Sequence, residues 1–293
     1  ATTEIYTLSL HDALPIYLIE MPTAVMGGFN SEFLTLPKDV LISVMKKHQR
    51  YFPVQSKVEG QKSGDPSIFD LRPSTLLPHF IAIRNGDDIG VDIVRQGNEH
   101  VLSARFTDAN FFVREDLKLK LEEFRPKLAS LTFHTKLGSM LDKSDRILKL
   151  GAAIGALLGY QGDLNTIKHP GRAAYLCKAD LATQMVTEMT SLQEIIGGEY
   201  ALRSEEAPEV AQAIAEQYQT APRSKIGLAV ALTSRIDSLV GLFAAGLAPT
   251  GAKDPFGLRR AAIGIVQPLI EHDIDVDLAL AVKRSALTQP IKV

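Results

Sequence analysis

The sequence predicts an α+β protein, with a β-rich mixed module in its first part and an all-helical second part. Three observations predict this. Tyr51-Phe52-Pro53-Val54 and Phe80-Ile81-Ala82-Ile83 are short apolar runs of strand character, within a stretch from Tyr17 to about Gly86. Beyond Gly97 apolar residues recur at helical spacing. Gly197-Gly198, Pro222 and Pro249-Thr250-Gly251 then punctuate the chain at intervals suited to helix ends.

The elements follow in order. Leu36-Pro37-Lys38-Asp39-Val40 opens a helix, with Pro37 near its first turn, and Val40, Val44 and Met45 form its apolar stripe. The two apolar runs read as a hairpin, joined by the polar, turn-rich stretch Gly60-Gln61-Lys62-Ser63-Gly64-Asp65-Pro66. Asn98 suits an N-cap. After it, Leu102, Phe106, Ala109 and Val113 are spaced four, three and four apart, one buried helix face. Helical spacing recurs at Leu137, Leu141, Leu148 and Ile154, at Ala173, Cys177, Leu181 and Met185, and at Leu228, Leu232, Ile236 and Leu239. The glycines from Gly151 to Gly159 sit in an Ala/Leu-rich run and read as helix packing. The module boundary is expected near Pro126, giving a mixed module over 17–125 and a helical domain over 126–293.

Composition narrows the function classes. The chain has 293 residues, a net charge of −2, and 45% hydrophobic against 23% charged residues, the balance of a globular protein with a sizeable core. Cys177 is the single cysteine, so an internal disulfide framework is excluded. No apolar run approaches the ~20 residues that span a bilayer, and no secretory signal is evident. Charge is uneven. Arg114–Lys149 holds nine basic and six acidic residues, net +3, whereas Glu194–Glu216 holds six acidic residues against Arg203, net −5. The first block is expected to approach nucleic-acid phosphates, or else to be an ordinary solvated face.

Four segments in one order carry a family resemblance. They are Met45–Val54 with Lys46-Lys47-His48-Gln49-Arg50, Gly97–Ala109 with Asn98-Glu99-His100 and Arg105-Phe106-Thr107-Asp108, Lys178–Ala201 with Lys178-Ala179-Asp180-Leu181-Ala182-Thr183 and Gly197-Gly198-Glu199-Tyr200, and Lys253-Asp254-Pro255-Phe256-Gly257-Leu258-Arg259-Arg260. From about Tyr17 to Leu278 the chain resembles the beta subunit of the bacterial two-subunit glycyl-tRNA synthetase. The resemblance implies a fragment of a longer subunit, lacking its start and its anticodon-binding region. It implies a role in binding and positioning tRNA(Gly) for ATP-dependent glycylation with an alpha subunit, in a cytoplasmic alpha2beta2 hetero-tetramer. Residues 1–16 do not fit. Thr7–Ile16 looks like translated sequencing-adapter sequence, so 1–16 is expected to be a non-native leader and His11-Asp12 carries no functional weight.

The helical part also resembles the HD superfamily of metal-dependent phosphohydrolases, whose chemistry needs imidazoles and carboxylates converging on a divalent cation. His134 falls where the first histidine would lie, and Asp237 resembles the last aspartate. Cys177 and Lys178 stand where the His-Asp doublet belongs. An ammonium does not replace a carboxylate ligand, so the resemblance is to a degenerate, HD-like domain with no catalytic metal. Phosphohydrolase activity on nucleotides, or a scaffold without RNA contact, are the alternative readings.

No phosphate-cradling glycine loop and no Ser-His-Asp arrangement is present. Catalytic and cofactor-binding residues are therefore expected to be none in this chain, with ATP and Mg used by the holoenzyme. The candidate nucleic-acid contacts are Lys46, Lys47 and Arg50 at a helix end and Arg259 and Arg260 on a helix opened by Asp254 and Pro255. Of the last two, one is expected to pair inside the fold and the other to face phosphate.

Overall fold

The computed structural model describes residues 3–5, 19–48, 50–56, 76–159 and 164–293. The chain divides into two compact units, Ala1–Asp116 and Leu117–Val293. The division falls before the Pro126 boundary expected from sequence. Leu121 and Phe124 explain the difference: both are buried, and their short helix packs on turns of the second unit.

The first unit is a four-stranded antiparallel sheet with helical cover. Its strands are β1 (Thr3–Ile5), β2 (Pro22–Gly28), β3 (Phe52–Ser56) and β4 (Leu76–Asn85), in the order β1-β3-β4-β2. The predicted hairpin pairing is present, with Phe52 opposite Ile81 and Pro53 opposite Phe80. Its connection, Gly60–Pro66, lies outside the described residues. Sequence reading assigned nothing to β2, which pairs along its whole length with β4, or to β1, which lies in the stretch set aside as a leader. Phe80 organises the sheet. It is buried and stacks on Tyr51 with ring centroids 4.6 Å apart. A Cβ on Gly27 would sit 2.5 Å from the Phe80 ring, so the residue opposite it must be glycine.

Two helices complete the unit. α1 (Lys38–Ser43) continues into a π-turn, Val44–His48, and buries Val40, Leu41, Val44 and Met45. α2 spans Val91–Asp116 and buries the predicted stripe of Leu102, Phe106, Ala109 and Val113. It begins after Gly90, so Asn98 lies inside the helix and is not its cap. Glu99 accepts a hydrogen bond from the Gly28 N–H at 2.8 Å, tying α2 to β2.

The second unit is helical apart from one small hairpin. Its elements are α3 (Leu121–Phe124), a 3-10 turn at Arg125–Ser130, β5 (Thr132–His134), β6 (Gly138–Ser139), α4 (Met140–Leu157), α5 (Leu164–Leu176), α6 (Gln184–Glu188), α7 (Ile195–Arg203), α8 (Pro208–Glu216), α9 (Lys225–Ala244), α10 (Leu258–Glu271) and α11 (Leu278–Ala286). Ser139 and Asp142 form a reciprocal capping box that starts α4. The stripe predicted through Ala173, Cys177, Leu181 and Met185 is not one helix. α5 stops at Leu176, and a 3-10 turn at Ala179–Ala182 intervenes.

α9 is the centre of this unit. It packs against α4, α5, α8, α10 and α11, and its Leu228, Leu232, Ile236 and Val240 share a core with Leu150, Ile154, Ile265 and Leu269. By length and composition it is apolar enough to cross a membrane, yet 72% of its apolar window is buried inside the fold, which marks a core helix.

Candidate nucleic-acid interface

The segment before α10 is a pinned loop. Thr250 and Lys253 exchange backbone hydrogen bonds of 3.1 and 2.8 Å. Gly257, in the left-handed region at φ 63°, is the residue that turns into α10. The sequence placed the cap at Asp254 and Pro255 in the first helical turn; the helix starts later, at Leu258. Asp254 still caps it from a distance, accepting from the Leu258 and Arg259 N–H groups at 2.8 and 2.9 Å. Those donors, Arg259's first, hold its carboxyl below the ordinary value.

Arg259 and Arg260 are both exposed. This corrects the expectation that one of them pairs with an acidic residue in the core. Arg259 donates to the Gly251 carbonyl at 2.7 Å, which fixes its direction and leaves other donors of its fork free. Arg260 makes no ion pair among the described residues. Leu258, between loop and helix, is buried beside Leu137 and Leu242 and anchors the segment.

The other candidates lie in the first unit. Lys46 is half-buried in the π-turn, and the Lys47 side chain lies outside the described residues. Arg50 is exposed at φ 56°, a left-handed residue closing the helix end. Its N–H donates to Lys46 O at 3.1 Å, and the Tyr51 N–H donates to Met45 O at 2.8 Å.

The position that the HD resemblance assigns to a metal is filled by protein cations. Asp237 on α9 is 0% exposed. One of its oxygens is 2.7 Å from Lys143 Nζ and 3.4 Å from an Arg146 guanidinium nitrogen. The other accepts from Arg146 Nε at 2.7 Å and Gln289 Nε2 at 3.0 Å. Lys143 Nζ also donates to Ser238 Oγ at 2.7 Å and lies 4.5 Å from the Phe133 ring centre. Burial alone would raise the Asp237 carboxyl, but Lys143 and Arg146 outweigh it and hold it below the ordinary range. His134 is half-buried, with Nδ1 accepting from the Lys136 N–H at 3.2 Å and its ring edge-on to Phe256. Cys177 is buried, its thiol pushed up by burial and donating to Ala174 O at 3.3 Å. This donor set does not fit a divalent cation, because the one carboxylate is already neutralised by two protein cations.

Lys178, the other departure from the doublet, sits in a second buried centre. Its Nζ donates to Gln217 Oε1 at 2.7 Å and Tyr218 OH at 2.6 Å, and burial lowers its pKa. Asp180 accepts from the Glu194 N–H at 2.6 Å through one oxygen, while the other is buried without a partner. Burial pushes Asp180 up to about 6. Glu194, at φ 71°, is pushed up by burial to about 7 and accepts from the Tyr218 N–H at 3.0 Å.

Both charge blocks are partly used inside the fold. From the basic block, Lys143 and Arg146 serve Asp237, and Arg125 pairs with Asp145. From the acidic block, Glu206 holds Arg172 at 3.0 Å, and buried Glu216 accepts from Ser224 Oγ at 2.7 Å. Sequence reading missed Lys143 and Arg146. The signal was present: Lys143, Ile147, Leu150 and Ile154 follow the four-three-four spacing, which places a cation on an apolar stripe.

The model of the family described as glycyl-tRNA synthetase beta subunit matches residues 12–291. That match begins inside the stretch 1–16 set aside from sequence. The chain is similar to the glycine–tRNA ligase beta subunit of Clostridioides difficile (strain 630), 42% identical over 276 residues that cover 92% of this chain and 37% of that protein. It is similar to the glycine–tRNA ligase beta subunit of Bacillus subtilis (strain 168), 41% identical over 263 residues, 88% of this chain and 36% of that protein. It is also similar to glycine–tRNA ligase, chloroplastic/mitochondrial 2, of Arabidopsis thaliana, 41% identical over 282 residues, 94% of this chain and 25% of that protein. The chain thus spans little more than a third of the length of the bacterial relatives it matches.

Proposed function

Because the chain belongs to the glycyl-tRNA synthetase beta subunit family, we propose that it binds and positions tRNA(Gly) as part of a glycine–tRNA ligase beta subunit. The glycylation step itself falls to an alpha subunit, with ATP and Mg acting in the holoenzyme and no cofactor held by this chain. The assembly is an alpha2beta2 hetero-tetramer in the cytoplasm. The contribution of this chain is geometric, since holding the acceptor end in place turns an encounter into an oriented, intramolecular step.

The observation that carries this reading is the exposed Arg259-Arg260 pair in the first turn of α10, beside the pinned loop. Lys46, Lys47 and Arg50 are candidates of the same kind on the first unit. A second reading, a scaffold without RNA contact, is favoured by the internal use of much of the Arg114–Lys149 block. Binding of tRNA(Gly) across a salt series separates the two. Each phosphate contact removed lowers the log–log salt slope by about 0.7 to 0.9. Unchanged affinity and slope in Arg50→Ala, Arg259→Ala and Arg260→Ala would leave the scaffold. Pyrophosphate exchange with glycine and ATP above a heat-killed control, from this chain alone, would overturn the division of labour with the alpha subunit.

A further inference from the structure

We infer that the Phe256 ring is a stacking platform for an unpaired RNA base, with Arg259 and Arg260 taking the flanking phosphates; this rests on the RNA-binding reading above. Phe256 is 44% exposed although it lies in an ordered loop over a core. A single exposed aromatic needs no explanation by itself. Here three further observations act together. Lys253, Arg259 and Arg260 are exposed within a few residues of it. The His134 ring meets it at 83° with centroids 6.4 Å apart, which supports the ring from one side. The loop is locked by the Thr250–Lys253 pairing, the Arg259–Gly251 bond and the buried Leu258, so the ring is displayed without an ordering penalty on binding.

The chemistry selects the ligand class. Asp254 already occupies the N–H groups that open α10, so an anion does not find a helix-end site there. What remains for a ligand is a π-face beside guanidinium forks. That pairing suits a splayed single-stranded nucleotide, whose base stacks while its phosphates meet arginine. A base-paired helix would offer the arginines phosphates but no face to the ring. In this arrangement His134 is a positioning residue.

The chain contains no tryptophan, so Phe256→Trp creates a single fluorescent reporter at the site. Binding is measured with a tRNA(Gly) transcript, with oligo(A), and with an abasic sugar–phosphate oligomer of the same length. We expect the tryptophan to be quenched on saturation with tRNA(Gly) and oligo(A), and unchanged by the abasic oligomer. Phe256→Leu should weaken oligo(A) about 5- to 100-fold, as loss of one stacked base does, and leave abasic binding and the melting temperature unchanged. Phe256→Tyr should retain affinity. Full binding by Phe256→Leu, or an unquenched tryptophan at saturating RNA, would overturn the stacking proposal. If abasic binding still falls in Arg260→Ala, the phosphate reading survives that failure. If the wild-type chain binds none of the three probes, both fall.

Discussion

The two buried charge centres of the second unit differ in kind. Around Asp237, one carboxylate meets two cations and an amide, and each of its oxygens has at least two donors. Around Asp180, the carboxylate has one backbone donor and an oxygen with none, while Lys178 bonds to neutral groups. Burial is nearly complete in both. Pairing therefore decides the outcome: Asp237 is driven below its ordinary pKa and Asp180 above it. The difference teaches that two equally buried carboxylates in one helical unit need not play the same part. One part is a closed ion-pair network, and the other retains groups that titrate near neutrality.

Removing the keystone should give the largest effect. Asp237→Ala leaves Lys143 and Arg146 buried without their counter-charge, which costs about 3–5 kcal/mol. A fall of roughly 6–20 °C in the melting temperature is expected, at about 2–4 °C per kcal/mol for a unit of this size. Replacing the three together, as Lys143→Met, Arg146→Met and Asp237→Leu, should be neutral or stabilising by about 1–4 kcal/mol. A triple variant as unstable as Asp237→Ala would mean the network is worth more than packing.

The pH responses of the two centres should have opposite signs. Asp237 has a depressed folded pKa, so its stabilisation is present above the unfolded value near 3.8 and is lost on acidification. Asp180 and Glu194 have raised folded pKa values, so their contribution is fully present below the ordinary 3.8 and 4.5 and is lost as pH rises through about 6 and about 7. Melting temperature should therefore decline between roughly pH 4 and 7. Asp180→Asn and Glu194→Gln should flatten that decline, and an unaltered profile in both would remove the contrast.

The smallest stability effect belongs to the exposed cations. Arg260→Ala should change stability by less than about 0.5 kcal/mol while lowering the salt slope of tRNA binding. A large drop in melting temperature would return Arg260 to the structural role first expected of one member of the pair.

The sequence was legible where one physical rule acted alone. The Leu102–Val113 stripe is buried as predicted because an amphipathic face needs only its own spacing. The fold class and the β3–β4 pairing were likewise readable from strand runs and period. Reading failed where tertiary contacts overrode local signals. Asn98 has the chemistry of a cap, but α2 had already begun at Val91. The stripe through Cys177 kept helical spacing across a chain break in helicity at Lys178, whose ammonium is drawn to Gln217 and Tyr218. For the candidate site, the exposure of Arg259 and Arg260 could not be separated by a helical wheel alone. It follows from the Asp254 cap and the anchoring of Leu258, which orient the first turn of α10. The Asp237 network was visible only as an anomaly, a lysine on an apolar stripe, because its partners lie about ninety residues apart in the chain.

Asp237 and its neighbour Arg235 also bear on how this chain is made. As α9 leaves the ribosome, neither α4 nor the rest of the core is obliged to be in place, and the helix by itself has the length and composition of a membrane span. Two charges near the middle of such a segment add about 5–7 kcal/mol to its transfer into a bilayer, at about 2.5–3.5 each. The carboxylate that joins α9 to α4 in the fold thus also makes this apolar helix a poorer bilayer span than its length alone would suggest.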